Sequence, residues 1–216
     1  MKNAILTGLM GFFIAILIIT FSIGLPIYVR PFYYHQVDAL DIPSYSGADK
    51  DTIIEAYDQL LDYLTVPGSE FSTGDFKYSE SGKSHFVDCK VLFDLNLYAF
   101  IISLAGIIIL FLLSLAGVFE ICRPFGMNIG FSSGLFTLVG FGVVGGLVAI
   151  DFSKAFTIFH KLFFPGKTNW YFSWYEDEII RILPQEFFMN CAILIFVSII
   201  SLCLLSIIQG VATKDR

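Results

Sequence analysis

Residues 95–121 read LNLYAFIISLAGIIILFLLSLAGVFEI, and a single charged side chain, Glu120, interrupts them near the end. A helix needs about 20 mainly apolar residues to cross a bilayer. This stretch is long enough, and it has three companions. They run from Ala4 to Val29, from Ile129 to Ile150 and from Phe187 to Gln209. Composition agrees: 56% of the 216 residues are hydrophobic and 15% are charged. Mean hydropathy is +0.76. Soluble domains carry about 45–50% apolar residues, so an ordinary soluble domain is excluded. Net charge is −6 with no basic run, which excludes nucleic acid as a partner. No span holds a Lys, Arg, Asp, Glu or His in its central part. Charges in hydrocarbon are kept only for use, as in pumps and ion-coupled transporters, so their absence argues against transport.

Four spans place both termini on one side, and the reading takes that side as the cytoplasm. The outer segments, 30–94 and 151–186, then hold 9 basic and 17 acidic residues. The inner segments hold Lys2, Arg123, Lys214 and Arg216 against Glu120 and Asp215. Orientation follows Lys and Arg rather than net charge, and Lys154, Lys161, Lys167 and Arg181 all lie in the second outer loop. Loop size argues more strongly: the polar bulk lies in two long loops, while Glu120–Asn128 is a tight turn. The first span is too long for a signal-peptide core, and Leu25-Pro26-Ile27-Tyr28 follows it without a small-residue cleavage site. It reads as a retained helix. The expected fold is a single all-α membrane domain over 1–216. Four transmembrane helices carry an extracellular cap built from 30–94 and 151–186.

The cap has its own pattern. Ile53, Ile54, Tyr57, Leu60, Leu61 and Leu64 recur at helical spacing, with Asp51 as N-cap and Pro67-Gly68 as the stop. Phe76-Lys77-Tyr78 and His85-Phe86-Val87 flank Ser81-Gly82, the signature of a small β-hairpin. Phe152, Phe156, Phe159 and Phe163 mark one face of a short interfacial helix ended by Pro165-Gly166. A second short helix covers about Glu176 to Leu183, before Pro184. Aromatics crowd the outer side, among them Tyr28, Phe32, Tyr33, Tyr34, Trp170 and Trp174. The inner side has little beyond Phe119, Phe125 and Phe131. An aromatic recess under the cap and a lopsided interfacial belt both fit that asymmetry. In the third span, Gly130 with Gly134 and Gly142 with Gly146 let another helix approach closely, within the bundle or from a second copy. Cys89, Cys122, Cys191 and Cys203 show no zinc-like spacing. Cys89 and Cys191 lie near the same side, yet unpaired thiols among apolar neighbours are the simpler reading.

The chain has three histidines, His35, His85 and His160, all in the outer segments. His85 precedes the second span, and His160 lies on the interfacial helix. The imidazole titrates near neutrality and exchanges protons there. In a pair, one ring takes a proton from a nucleophile while the other donates to an oxyanion or leaving alkoxide. His35, in Tyr34-His35-Gln36, reads as a surface residue. No GxSxG elbow, HExxH or phosphate-binding loop is present. A metal held by His85 with Asp88, or by His160 with Asp151, has too few ligands to favour.

Ser84-His85-Phe86-Val87-Asp88, just before a span, resembles the first histidine motif of the lipoprotein intramolecular transacylases (Lit). Phe159-His160-Lys161-Leu162-Phe163-Phe164 resembles the second, with Trp170, Asp177, Ile179-Ile180, Leu183-Pro184 and Phe187-Phe188 following it. Asp41, Ser46-Gly47 and the helix through Tyr57 to Tyr63 resemble the family's cap. The likeness covers nearly the whole chain; Trp174 is given no role in it. It implies an acyltransferase that needs no cofactor. The substrate is a lipoprotein whose N-terminal cysteine carries a diacylglyceryl thioether. The sn-2 acyl chain moves to that cysteine's α-amino group, giving a lyso-form lipoprotein. His85 and His160 are the implied catalytic pair, with the order of base and acid left open. Asp88, Asp151, Phe156, Trp170 and Asp177 are expected to bind substrate or orient an imidazole. Membrane lipid is the other expected partner; the residues fix no oligomeric state. Two competing readings are a non-catalytic protein whose cap binds a lipid or protein, and a lipid hydrolase that uses water.

Overall fold

A computed structural model describes residues 1–213, apart from the side chains of Phe125 and Leu147. Lys214, Asp215 and Arg216, counted above among the inner charges, lie outside the described residues. Eight α-helices are found among those described: α1 Lys2–Tyr28, α2 Arg30–Ala39, α3 Ile42–Ser46, α4 Lys50–Thr65, α5 Glu80–Leu115, α6 Ile129–Ile150, α7 Phe152–Phe163 and α8 Gln185–Ala212. Short 3-10 turns cover Pro124–Gly126 and Glu178–Ile182. Helices α1, α5, α6 and α8 are long and apolar enough to cross a membrane.

The expected β-hairpin is absent: no strand occurs among the described residues. The segment read as its second strand, His85-Phe86-Val87, lies in α5. The Ser79 hydroxyl oxygen accepts the Gly82 N–H at 3.0 Å, and Lys83 N–H donates to the Ser79 carbonyl at 2.9 Å. Ser79 is thus an N-cap, and Ser81-Gly82 forms a first turn of helix rather than a reversal. The apolar run of α5 starts at Leu95. Its opening turns carry Glu80, Lys83, Asp88, Lys90 and Asp94 and stay polar.

The chain divides into two compact units. The first comprises residues 1–24, 96–150 and 194 onward. Met10, Leu110 and Phe119 form one small core there, and Ile18, Ile199 and Cys203 another. Gly134 takes α6 against α8: an added Cβ would lie 2.9 Å from the Cys203 carbonyl. Gly142 and Gly146 meet nothing within 4 Å. Most large apolar side chains of these helices face outward, including Ile101, Ile102, Phe136 and Leu205. Outward apolar faces suit lipid, which solvates them as well as a core does.

The second unit comprises residues 25–95 and 151–193. Its centre is α4, which buries Ile53, Ala56, Tyr57, Leu60, Leu61 and Leu64 along one face. Each large aliphatic side chain so buried contributes about 1.5–3 kcal/mol. The N-cap is Asp49, not Asp51: its carboxylate accepts the Thr52 N–H at 3.0 Å. The Tyr33 ring of α2 stacks on Tyr57 at 3.6 Å. Its hydroxyl donates to the Ile182 carbonyl at 2.8 Å, tying α2 to the 3-10 turn. Helices α2 and α3 are additions to the sequence reading. Where a helix was expected over Glu176–Leu183, the 3-10 turn Glu178–Ile182 stands.

Candidate active site

Both motif histidines belong to the second unit, and the fold brings them together. His85 sits in the second turn of α5, and His160 near the end of α7. Their ring centroids are 5.6 Å apart, with planes inclined at 33°. His85 is 5% exposed and His160 7%. His35 is exposed on α2 and takes no part.

The α5 end is held from far along the chain. The Asp177 carboxylate, 2% exposed, accepts the Ser79 N–H and the Ser79 hydroxyl, each at 2.7 Å. Its second oxygen accepts the Ser173 N–H at 2.9 Å. Gly82 is required by this approach: an added Cβ would strike the Asp177 carboxylate and lie 3.0 Å from the Phe172 ring. Asp177 therefore fixes the N-terminal turn of α5, the one before His85, and makes no hydrogen bond to either imidazole among the described residues.

The aromatic face of α7 divides between the protein and the exterior. Phe152, Phe156, His160 and Phe164 form a row at four-residue spacing, with His160 and Phe164 buried. Phe159 and Phe163 are 45% and 47% exposed. A helix apolar on two faces shows its periodicity without showing which face the protein covers. Asp151 caps α7, its carboxylate accepting the Lys154 N–H at 2.9 Å. Helix geometry, rather than an imidazole, occupies it.

Aromatic rings wall the pair. Phe164 lies edge-on to His85 at 4.9 Å and 5.8 Å from His160. Phe172 meets His85 edge-on at 5.5 Å. Trp170 stacks on His160 at 4.8 Å, and the Phe156 ring stands 4.3 Å from it. Phe164 and Phe172 were not singled out from sequence as site residues. Phe164 stands in the second histidine motif, and Phe172 was hinted at only by its place in an aromatic-rich segment.

Charge is kept to one side. The Asp88 carboxylate accepts from the Lys167 ammonium and, at 2.9 Å, from Asn169 Nδ2. Burial raises the Asp88 carboxyl, but these donors overcome it and hold it below its ordinary range. Burial, with the neighbouring His160, lowers His85 from 6.5 to about 4. Burial also lowers His160, against an upward pull from the Phe156 carbonyl. Both rings are therefore neutral at pH 7. The His160 Nδ1 lies 2.7 Å from the Phe156 carbonyl oxygen. A carbonyl only accepts, so Nδ1 carries the proton and Nε2 keeps the lone pair. Such a pair supplies one base and one donor without a nucleophilic side chain.

Residues 8–188 match the family model described as "Lipoprotein intramolecular transacylase Lit". Among solved structures, the chain resembles the membrane integral lipoprotein intramolecular transacylase Lit from Bacillus cereus. The TM-score is 0.88 at 27% identity, over 100% of this chain and 98% of that one. Two mutant forms of the Bacillus cereus protein also match. The H85R form gives 0.80 at 25% identity, over 98% of this chain and 91% of that one. The H85A form gives 0.80 at 26%, over 99% and 95%. No curated protein sequence matches.

Proposed function

The chain belongs to the lipoprotein intramolecular transacylase (Lit) family, and from that membership we propose how its two histidines act. It is a membrane acyltransferase. In our reading it moves the sn-2 acyl chain of a diacylglyceryl-modified lipoprotein from glycerol to the α-amino group of the N-terminal cysteine. The observation that carries the reading is the pair of buried imidazoles, 5.6 Å apart inside an aromatic wall.

His160 Nε2 takes a proton as the amine attacks the ester carbonyl. His85 donates to the oxyanion of the tetrahedral intermediate. The bond between nitrogen and the acyl carbon forms, and the bond between the acyl carbon and the glycerol oxygen breaks. The proton lost by the amine ends on the glycerol oxygen, so the protein is unchanged. A free α-amine has a pKa of about 7.7–8.0, within reach of a neutral imidazole. Nucleophile and electrophile belong to one molecule, so no acyl-enzyme is needed. Holding them together supplies several kcal/mol of the barrier, up to about 7–11 in good intramolecular cases. Phe156 and Trp170, packed on His160, serve as the substrate-facing wall. Asp88 acts on His85 through its charge, Asp177 holds the α5 turn, and Asp151 sets the start of α7.

The segments 30–94 and 151–186 form an extracellular cap, with both termini cytoplasmic. Their size, and 17 acidic against 9 basic residues, support this orientation. The apolar outer face of α7, with Ile158, Phe159, Leu162 and Phe163 exposed, suits a helix lying in the membrane interface.

The test uses purified protein, a synthetic diacylglyceryl lipopeptide and tandem mass spectrometry. Transacylation conserves mass and moves one acyl chain to the cysteine nitrogen. Hydrolysis would release free fatty acid, and a non-catalytic protein would leave the lipopeptide unchanged; either result overturns the reading.

A further inference from the structure

Cys89 lies one turn after His85 on α5, and its Sγ is 3.4 Å from His85 Nε2. The other ring nitrogen, Nδ1, is buried and has no hydrogen-bond partner among the described residues. A neutral imidazole has one N–H and one lone pair. Either the thiol donates to Nε2 and the proton sits on Nδ1, or Nε2–H donates to sulfur and Nδ1 holds a bare lone pair. Sulfur is a weak acceptor, whereas an imidazole nitrogen is a strong one. Burial also pushes the Cys89 thiol up to about 12, so it keeps its proton at neutral pH. The first arrangement is the better bond.

We propose that the Cys89 thiol is a positioning group that holds His85 in its Nδ1–H tautomer, leaving that N–H free for the substrate. The inference rests on the transacylase reading above. It explains why a buried nitrogen is left unpartnered, a state that costs about 1–3 kcal/mol when nothing binds there. An oxyanion formed beside the ring supplies the missing acceptor. His160 is set the opposite way, its Nδ1–H engaged by the Phe156 carbonyl at 2.7 Å and its Nε2 left as a base. One ring arrives as donor and the other as acceptor, so no proton has to be redistributed before the amine attacks. Cys89 thus acts through His85 and does not touch the reacting atoms.

The test is a two-bond proton–nitrogen correlation spectrum of 15N-histidine-labelled full-length protein at pH 7.5. It distinguishes protonated from bare ring nitrogens, and His85 is assigned by its loss in His85→Asn. The wild type and Cys89→Ser should show His85 protonated on Nδ1. Cys89→Ala should shift His85 toward the Nε2–H form and lower kcat roughly tenfold with little change in KM. Cys89→Ser should restore most of kcat. An Nε2–H signal for His85 in the wild type would overturn the proposal, and that measurement needs no variant at Cys89. Unchanged tautomer and kcat in Cys89→Ala would overturn it as well. A wild type that makes no lyso-form defeats the transacylase reading instead, so the two failures are told apart.

Discussion

The Phe156 carbonyl accepts the Nδ1 proton of His160 at 2.7 Å, one turn back along the same helix. The bond is local to α7, so every folded copy of that helix presents the same edge of the ring. It also separates what His160 does for structure from what it does for chemistry.

An asparagine reaches about as far as Nδ1 and no farther. His160→Asn should therefore keep a donor to the Phe156 carbonyl and lose the Nε2 lone pair. Its thermal stability should stay within about 1 kcal/mol of the wild type. Formation of the lyso-form should fall by about 100-fold or more, the share that acid–base groups supply. Thermal unfolding in detergent and mass spectrometry of the product check the two halves.

Stability should fall on acidification in a defined window. His85 has a folded value near 4, below the ordinary 6.5. Between those values the unfolded chain binds a proton that the folded chain refuses. The stability is present above about 6.5 and is lost as pH falls toward 4, and the downward direction at His160 adds to the effect. Melting temperatures measured from pH 7 to pH 4 should drop, and His85→Asn should flatten the slope.

Asp177→Ala should be among the most damaging changes outside the pair. It strands the Ser79 N–H, the Ser79 hydroxyl and the Ser173 N–H together. Ser79 and Ser173 are half-buried, so each donor left alone should cost toward the lower end of the range of about 1–3 kcal/mol that buried donors cost. The expected loss is about 2 kcal/mol or more, with lower activity because the first turn of α5, which leads into His85, loosens. Denaturation of the variant in detergent measures it.

Lys167→Met should do much less. Lys167 is 48% exposed at the side chain, where water screens its pairing with Asp88. The stability change should stay below about 1 kcal/mol. Asp88→Leu should cost more than that, because it also takes the acceptor from Asn169 Nδ2. The same unfolding assay ranks the two.

The four apolar stretches were legible because a bilayer dictates length and composition directly, and a helix able to cross one stands at each, although α5 ends at Leu115 while the apolar run was read to Ile121. The histidine motifs were legible as a resemblance, and the fold brings their rings together. The start of α5 was not legible. Ser81-Gly82 has the composition of a turn, and the carboxylate that steadies the helix there lies 98 positions away in Asp177. That misreading also concealed Cys89, whose four-residue spacing from His85 means contact only within a helix. Phe159 and Phe163 were read with Phe152 and Phe156 as a single face of α7, because a doubly apolar helix offers no polar side to orient it. Phe164 and Phe172 reach His85 through tertiary contacts, which local pattern does not encode.

The most direct measurement is the lyso-form yield of a co-expressed lipoprotein, read by mass spectrometry, in His85→Ala and His160→Ala. Each single variant should fall by about 100-fold or more while the protein remains folded in the membrane. Wild-type yields from both variants would contradict the account.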